Sequence, residues 1–132
     1  MQKNAGDAGR AAVPITRDAA EFMLHAAAST YPSEFAGLIR KNARGEIAEV
    51  LVIPQSVYGE DYSSINLYNV PYTSGHAGSV HSHPTRSARP SKADLEFFRA
   101  TGETHLILAY PFTPDSIRAY DAKGKPLLTK IV

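Results

Sequence analysis

The sequence predicts a single α/β (α+β) domain in which helices flank a curved, mixed β-sheet. Two segments repeat apolar residues at helical spacing, and several short apolar segments between Pro, Gly and Asn residues are typical of strands. The chain has 132 residues, of which 43% are hydrophobic and 20% charged. That length is enough for one hydrophobic core and too short for two ordinary domains. We expect residues 1–12 to form a flexible leader and residues 13–132 to form the domain.

Capping and terminating residues set the bounds of the predicted elements. Thr16 and Ser91 are suitable N-caps, Asp18 falls in a first helical turn, and Pro54 and Gly102 end the segments before them. In chain order we expect a helix at about 17–29, strands at 34–40 and 47–53 joined by a turn at 42–45, an irregular segment at 54–77, a strand at 80–83, a helix at about 92–101, strands at 105–110 and 116–121, a turn at 122–124 and a last strand at about 126–131.

The composition excludes several classes of function. A net charge of +1 gives no general attraction to nucleic acid or to an anionic membrane, and the sequence has no apolar run long enough to span a bilayer. The N-terminus lacks the cationic and apolar regions of a secretory signal, so we expect a cytoplasmic protein. With no cysteine, the chain has no disulfide, no thiolate metal ligand and no cysteine nucleophile.

Two histidines in one short strand are the strongest functional signal. His81 and His83 are two residues apart, so both can point to one face of a strand, whereas Ser82 points to the other. Pro84 ends the strand, and Asp94 offers a carboxylate eleven residues after His83. Two imidazoles and one carboxylate, with a fourth position left for water, are typical of a catalytic zinc site. The pattern favours a metallohydrolase.

The spacing of these residues resembles the signature of the JAMM (MPN+) metalloproteases. The string HSHP at 81–84 is followed by six residues, Ser91, two residues and Asp94. Glu34 matches the upstream glutamate of the family, and residues 105–111 are similar to the strand that follows its zinc helix. The resemblance covers roughly residues 16–121 and implies an MPN/JAMM-like, cytidine-deaminase-like fold. The short spacing before residue 105 resembles the compact prokaryotic, especially archaeal, form.

The resemblance also implies roles for five residues. His81, His83 and Asp94 would hold one Zn²⁺ per chain, and Glu34 would act as the general base for the attacking water. Ser91 would donate a hydrogen bond to the oxyanion. Taken alone, Ser91 and Asp94 also fit a capping box at a helix start, and the two interpretations are compatible.

Family members cut the amide after the C-terminal glycine of ubiquitin or ubiquitin-like proteins. The resemblance thus implies a zinc isopeptidase that removes a ubiquitin-like modifier from lysine, with the modifier or its conjugates as partners. The processing or release of a ubiquitin-fold sulfur carrier stays open, as does a non-catalytic MPN scaffold. We expect no nucleic-acid or membrane partner, and a homodimer is left open.

Several residues near the site have no assigned role. His76 precedes the histidine strand as an ordinary loop residue or a substrate contact, and residues 58–78 could become ordered when substrate binds. His25 and His105 are expected to be structural. Four cations form a local basic cluster that is either solvated or attracts an acidic or extended substrate tail: Arg86, Arg89, Lys92 and Arg99.

Overall fold

A computed structural model describes residues 12–54 and 77–132 of the chain. The expected leader, apart from Ala12, and the expected irregular segment with His76 therefore fall almost wholly outside the described residues. The elements in chain order are β1 (Val13–Ile15), α1 (Arg17–Thr30), β2 (Ala36–Lys41), β3 (Ile47–Val52), β4 (Gly78–His83), α2 (Lys92–Thr101), β5 (Thr104–Ala109), a short 3₁₀ turn (Pro114–Ser116), β6 (Ile117–Tyr120), β7 (Pro126–Leu127) and β8 (Thr129–Ile131).

The strands form one eight-stranded mixed sheet, as predicted. Its order is β7-β6-β5-β4-β2-β3-β1-β8. The pairs β4–β5, β1–β3 and β1–β8 are parallel, and the others are antiparallel. β7 and β8 lie at opposite edges of the sheet, yet only Leu128 separates them in the chain. Because one residue advances the chain by about 3.8 Å, the sheet must curve until its two edges approach each other.

One predicted strand needs correction, and one strand was not predicted. The last strand, expected at about 126–131, is divided at Leu128 into a segment that pairs with β6 and another that pairs with β1. β1 itself was not predicted, since it has three residues with Pro14 at its centre and Pro cannot donate to a sheet ladder. Its neighbours supply the hydrogen bonds: the Val13 amide donates to the Leu128 carbonyl at 2.7 Å, and the Val132 amide donates to the Ile15 carbonyl at 2.9 Å.

The two helices cover opposite faces of the sheet. Ala19, Met23 and Ala27 of α1 pack against residues such as Val80 and Leu106 in the largest apolar cluster. On the other face, α2 packs Phe97 against Leu38 and Phe98 against Ile107. Since neighbouring residues of a strand face opposite ways, His81, which follows Val80, faces α2. All six residues of β5 are buried, as expected for a strand covered on both sides.

Both predicted helix starts are confirmed. The Thr16 side chain accepts a hydrogen bond from the Ala19 amide at 3.2 Å at the start of α1. Ser91 caps α2, and Gly102, with φ of 130°, ends it. The start of α2 is therefore fixed beside the end of β4, where the histidine pair lies.

Candidate metal centre and active site

His81, His83 and Asp94 meet where β4 ends and α2 begins. The Nε2 atoms of the two histidines lie 3.1 Å apart, and the His83 Nε2 lies 3.1 Å from the Asp94 Oδ2. The His81 Nε2 lies 3.4 Å from the Asp94 Oδ1. His81 and Asp94 are buried, and His83 is half-buried. Each side chain thus offers one ligand atom to a common point.

These separations fit a tetrahedral zinc site. Zinc lies about 2.0–2.1 Å from imidazole nitrogen and about 2.0–2.2 Å from carboxylate oxygen, so ligand atoms at tetrahedral angles are about 3.3–3.5 Å apart. The two histidine nitrogens are 3.1 Å apart, and each lies 3.1 or 3.4 Å from a different oxygen of the Asp94 carboxylate, so all three separations are close to that length. Three protein ligands leave a fourth position for water or substrate, as catalytic zinc sites do.

The protonation of both histidines also suits a metal. Burial lowers the pKa of His81 well below its usual value, and the neighbouring His83 and His105 lower it further. Burial likewise lowers the pKa of His83, partly offset by its bond to Ser87. The His83 Nδ1 lies 2.9 Å from the Ser87 carbonyl, which can only accept, so Nδ1 carries the proton. The His83 Nε2 therefore presents a lone pair, and a backbone carbonyl fixes its ring, as is usual around metals.

Asp94 belongs to the helix cap as well as to the cluster. The Ser91 amide donates to the Asp94 Oδ2 at 2.8 Å, and the Asp94 amide donates to the Ser91 Oγ at 3.1 Å. The predicted capping box is thereby confirmed, with Asp in the place of the usual Glu. The cap fixes the carboxylate while one of its oxygens faces each histidine. Capping and metal binding are compatible uses of the same side chain.

Three hydrogen bonds hold the segment between β4 and α2 in place. The Ser87 carbonyl accepts from His83, the Thr85 carbonyl accepts from the Tyr110 amide at 2.9 Å, and the Ala88 carbonyl accepts from the Tyr120 hydroxyl at 2.6 Å. A connection tethered in this way fixes the distance between the end of β4 and the start of α2. It therefore helps to hold the histidines and Asp94 together.

Glu34 reaches the site from the neighbouring strand. Glu34 lies two residues before β2, which begins at Ala36 and not at residue 34 as predicted. The Phe35 amide donates to the Ser82 Oγ at 2.8 Å, and the Ser82 amide donates to the Phe35 carbonyl at 2.9 Å. Ser82, expected on the face opposite the histidines, thus binds the residue next to Glu34. No local pattern indicates this contact, because it joins positions 47 residues apart.

Four of the five predicted site residues line one open cavity of about 370 Å³, and these are Glu34, His83, Ser91 and Asp94. His81 lies beneath them, fully buried. Ser91 is exposed, and its hydroxyl oxygen accepts from the Asp94 amide, which leaves the hydroxyl proton available to a group in the cavity. An acidic residue, a serine and two members of the candidate metal-binding cluster therefore line the same space.

His25 and His105, the other histidines within the described residues, lie outside the cluster. His25 is exposed on α1. His105 is buried, its Nε2 donates to the Gly102 carbonyl at 2.8 Å, and its Nδ1 lies 2.8 Å from the Ser79 Oγ. Its ring stacks on Phe98 with centroids 4.2 Å apart. His105 is thus structural, as predicted.

The predicted basic cluster is divided among different surroundings. Arg86 lies over the Tyr110 ring, 5.4 Å from its centroid. Lys92 and Arg99 belong to the two ends of α2. All four cations of the cluster are exposed, and within the described ranges none forms an ion pair with an acidic side chain. Arg86 shares a cavity with another cation, Arg118, which the sequence did not indicate.

Comparisons with known proteins agree with this geometry. Residues 16–123 match the family model described as prokaryotic homologs of the JAB domain. A Haloferax volcanii protein named "Probable metalloprotease" is 37% identical over 125 residues, which cover 88% of this chain and 77% of that protein.

Two solved structures are similar in fold and sequence. One, described as a JAMM metalloprotease-like zinc site in the proteasome and signalosome, has a TM-score of 0.73 and 29% identity over 92% of this chain and 99% of its own. The other, a JAB1/MPN domain protein from Archaeoglobus fulgidus, has a TM-score of 0.71 and 29% identity over 92% and 98%. The chain therefore belongs to the prokaryotic JAB family and is a compact member of the JAMM-like zinc metalloproteases.

Proposed function

We propose that this protein is a zinc-dependent isopeptidase that cleaves the amide after the C-terminal glycine of a ubiquitin-like modifier attached to lysine. One observation carries the proposal: Glu34 and Ser91 line the same open cavity as His83 and Asp94. A metal site that served only to stabilise the fold would need neither a carboxylate nor a hydroxyl facing that cavity. The cavity is open to the surface, so an extended peptide tail can enter it.

The ligand set suits zinc and leaves a position for chemistry. His81, His83 and Asp94 would hold one ion through two imidazole nitrogens and one carboxylate. When bound, zinc lowers the pKa of water to about 7 and polarises a carbonyl group. The Ser91 amide and the Ser87 carbonyl would hold two of the ligands in place through the bonds described above. No other element needs to move for the three ligands to meet.

Glu34 would move the proton. Glu34 lines the cavity that His83 also lines, and its carboxylate would accept a proton from the attacking water and pass it to the leaving lysine amine. The pairing of Phe35 with Ser82 holds the backbone next to Glu34 against β4. A general base fixed to the strand that carries the ligands keeps its distance from the reacting carbon.

Ser91 would stabilise the charge that develops on the substrate carbonyl oxygen. The Ser91 Oγ already accepts from the Asp94 amide, so its proton is left to donate into the cavity. Removal of a single oxyanion donor from a hydrolase typically costs about 10²–10³ in kcat.

The test compares two matched substrates for the zinc-loaded protein. One carries a ubiquitin-like protein from the same source on a lysine of a carrier protein, and the other carries it as a linear fusion with the same flanking residues. Glu34→Gln is the control, because it keeps the shape of the side chain and removes the base. It should retain one zinc per chain by mass spectrometry and lose at least about 10²-fold in turnover.

The outcomes separate the candidates. Selective cleavage of the lysine conjugate supports the isopeptidase, and selective cleavage of the fusion moves the function to the processing of a sulfur carrier or similar protein. Failure to cleave either substrate, together with undiminished binding by zinc-free protein, would favour a scaffold. Loss of zinc from Glu34→Gln would mean that Glu34 is a ligand or a structural residue. The cytoplasmic location, the homodimer and the absence of nucleic-acid and membrane partners stay predictions.

The described part of the chain contains no helix with the length and apolar character needed to cross a bilayer.

A further inference from the structure

A second cavity adjoins the proposed active site. It has a volume of about 280 Å³ and is lined by Arg86 and Ala88 of the segment between β4 and α2 and by the end of β5. That segment also lines the first cavity through Thr85. Ala109, at the wall of the second cavity, is the β5 partner of His83. Adjacent strands are about 4.8 Å apart, so the two cavities are close enough for one bound polypeptide to occupy both.

Two guanidinium groups are held at this second cavity. Arg86 lies over the Tyr110 ring, and the ring's negative face favours that position. The Arg118 Nη1 donates to the carbonyls of Asp115 and Ile117 at 2.6 and 2.9 Å. Both side chains are exposed at their tips but anchored by these contacts. Anchoring lowers the entropy that each would lose on binding a ligand.

The cavity has an excess of positive charge. Its charged lining residues are Arg86, Arg118 and Asp115, which leaves one net positive charge. Of the acidic side chains that the structure describes, none forms an ion pair with Arg86 or Arg118 within 4.0 Å. Asp115 instead holds Arg118 through its backbone carbonyl. An anion that enters the cavity would therefore meet two cations, neither of which forms an ion pair with a described carboxylate.

We propose that this cavity is an anion subsite that binds a carboxylate side chain of the polypeptide being cleaved. Guanidinium groups bind carboxylates through paired hydrogen bonds, and the apolar walls at Ala88, Ala109 and Pro111 suit the methylenes of a glutamate. A volume of about 280 Å³ accommodates one such side chain and is too small for a folded element. That the carboxylate belongs to the polypeptide being cleaved rests on the function proposed above. Binding of an anion in this cavity does not depend on that function.

Anion binding can be measured on the zinc-loaded protein without turnover. Backbone amide shifts are followed by NMR while N-acetylglutamate N-methylamide, its glutamine analogue or inorganic phosphate is added. The glutamate compound should shift amides of residues 109–118 and bind at least about fivefold more tightly than the glutamine analogue. Its affinity should fall as salt is raised, because exposed charges are screened. Equal affinity for the two compounds overturns the subsite, and tighter binding of phosphate overturns its assignment to a carboxylate.

Matched variants assign the effect to this cavity. The double variant Arg86→Gln/Arg118→Gln should weaken binding of the glutamate compound about 5- to 20-fold, whereas Arg99→Gln, a cation on α2 outside the cavity, should not change it. Amide spectra check that each variant is folded. Binding unchanged in the double variant, or equally weakened in Arg99→Gln, overturns the assignment.

A kinetic measurement tests the link to the substrate. With a conjugate that the wild type cleaves, the double variant should raise KM about 5- to 20-fold and leave kcat within about twofold. A change in kcat alone would overturn the substrate role. If no conjugate is cleaved, the proposed function fails while the NMR result still decides whether the cavity binds carboxylates.

Discussion

Substitutions at Ser91 can separate the stabilisation of α2 from catalysis, since one hydroxyl group is assigned to both. Its oxygen caps the helix by accepting from the Asp94 amide at 3.1 Å, and its proton is proposed to bind the oxyanion. Replacing an N-cap Ser with Ala typically costs about 1 kcal/mol, whereas replacing it with Gly costs only a few tenths. Ser91→Gly therefore removes the hydroxyl with little loss of stability, and Ser91→Thr keeps both functions.

The expected magnitudes differ enough to be resolved. Ser91→Ala should lose about 1 kcal/mol of unfolding free energy, which is about 4 °C in Tm for a domain of this size. Ser91→Gly should stay within about 0.5 kcal/mol of the wild type. Both should lose about 10²–10³ in kcat, which corresponds to about 2.7–4 kcal/mol in the barrier. Ser91→Thr should recover most of the rate.

Urea unfolding, zinc content and kcat on a cleaved conjugate are measured for all three variants. A Ser91→Gly protein that keeps its zinc and turns over within threefold of the wild type would refute the oxyanion role. If kcat falls in proportion to the zinc content of the variants, Ser91 acts by holding Asp94 in position and not by binding the oxyanion. Equal stability of the Ser91→Ala and wild-type proteins would show that the Ser91 cap does not stabilise α2.

Three further predictions concern the buried parts of the site. Because burial lowers the pKa of His81 and His83 below 6.5, their neutral forms stabilise the metal-free fold above that pH. This contribution to the free energy of unfolding is lost as the pH falls below about 6.5 towards the lowered pKa values, by at most about 1.4 kcal/mol per pH unit for each histidine. The measurement is urea unfolding in the presence of a chelator. A free energy of unfolding that does not change with pH in this range would contradict the prediction. Gly78→Ala would place a Cβ 1.6 Å from the Thr104 carbonyl oxygen. We therefore expect urea unfolding to show a loss of about 3 kcal/mol or more in the free energy of unfolding. A loss below about 1 kcal/mol would be inconsistent with the pairing of β4 and β5. Asp94→Asn should weaken zinc binding about 10²-fold and reduce the stabilisation of the fold by zinc by about 2.7 kcal/mol. Calorimetric titration with zinc measures the Kd, and an unchanged Kd would refute the role of Asp94 as a zinc ligand.

Local signals in the sequence were sufficient for the helices and for much of the site. Thr16 and Ser91 were identified as N-caps because capping depends on residues within one turn of each other. The orientation of His81 and His83 followed from the two-residue period of a strand. The meeting of these histidines with Asp94 was expected from the family spacing, and the structure brings their ligand atoms within 4.8 Å of one another.

The features that were missed depend on contacts far along the chain. β1 is a strand only because β3 and β8 flank it, and its central Pro14 argues locally against a strand. The division of residues 126–131 at Leu128 follows from closure of the curved sheet, which no local pattern encodes. Similarly, the bond between Phe35 and Ser82 and the proximity of Arg86 to Arg118 arise from pairing across the sheet.

The start of α2 joins fold stability to metal binding at a single carboxylate. Burial of a charged Asp94 costs free energy unless donors surround it. The Ser91 amide supplies one donor, and the helix N-terminus, with its partial positive charge, favours an anion at that point. In the same arrangement the two carboxylate oxygens face His81 and His83. If this carboxylate binds a metal as proposed, the contacts that hold it reduce the entropy lost on binding, and more of the binding energy would appear as affinity.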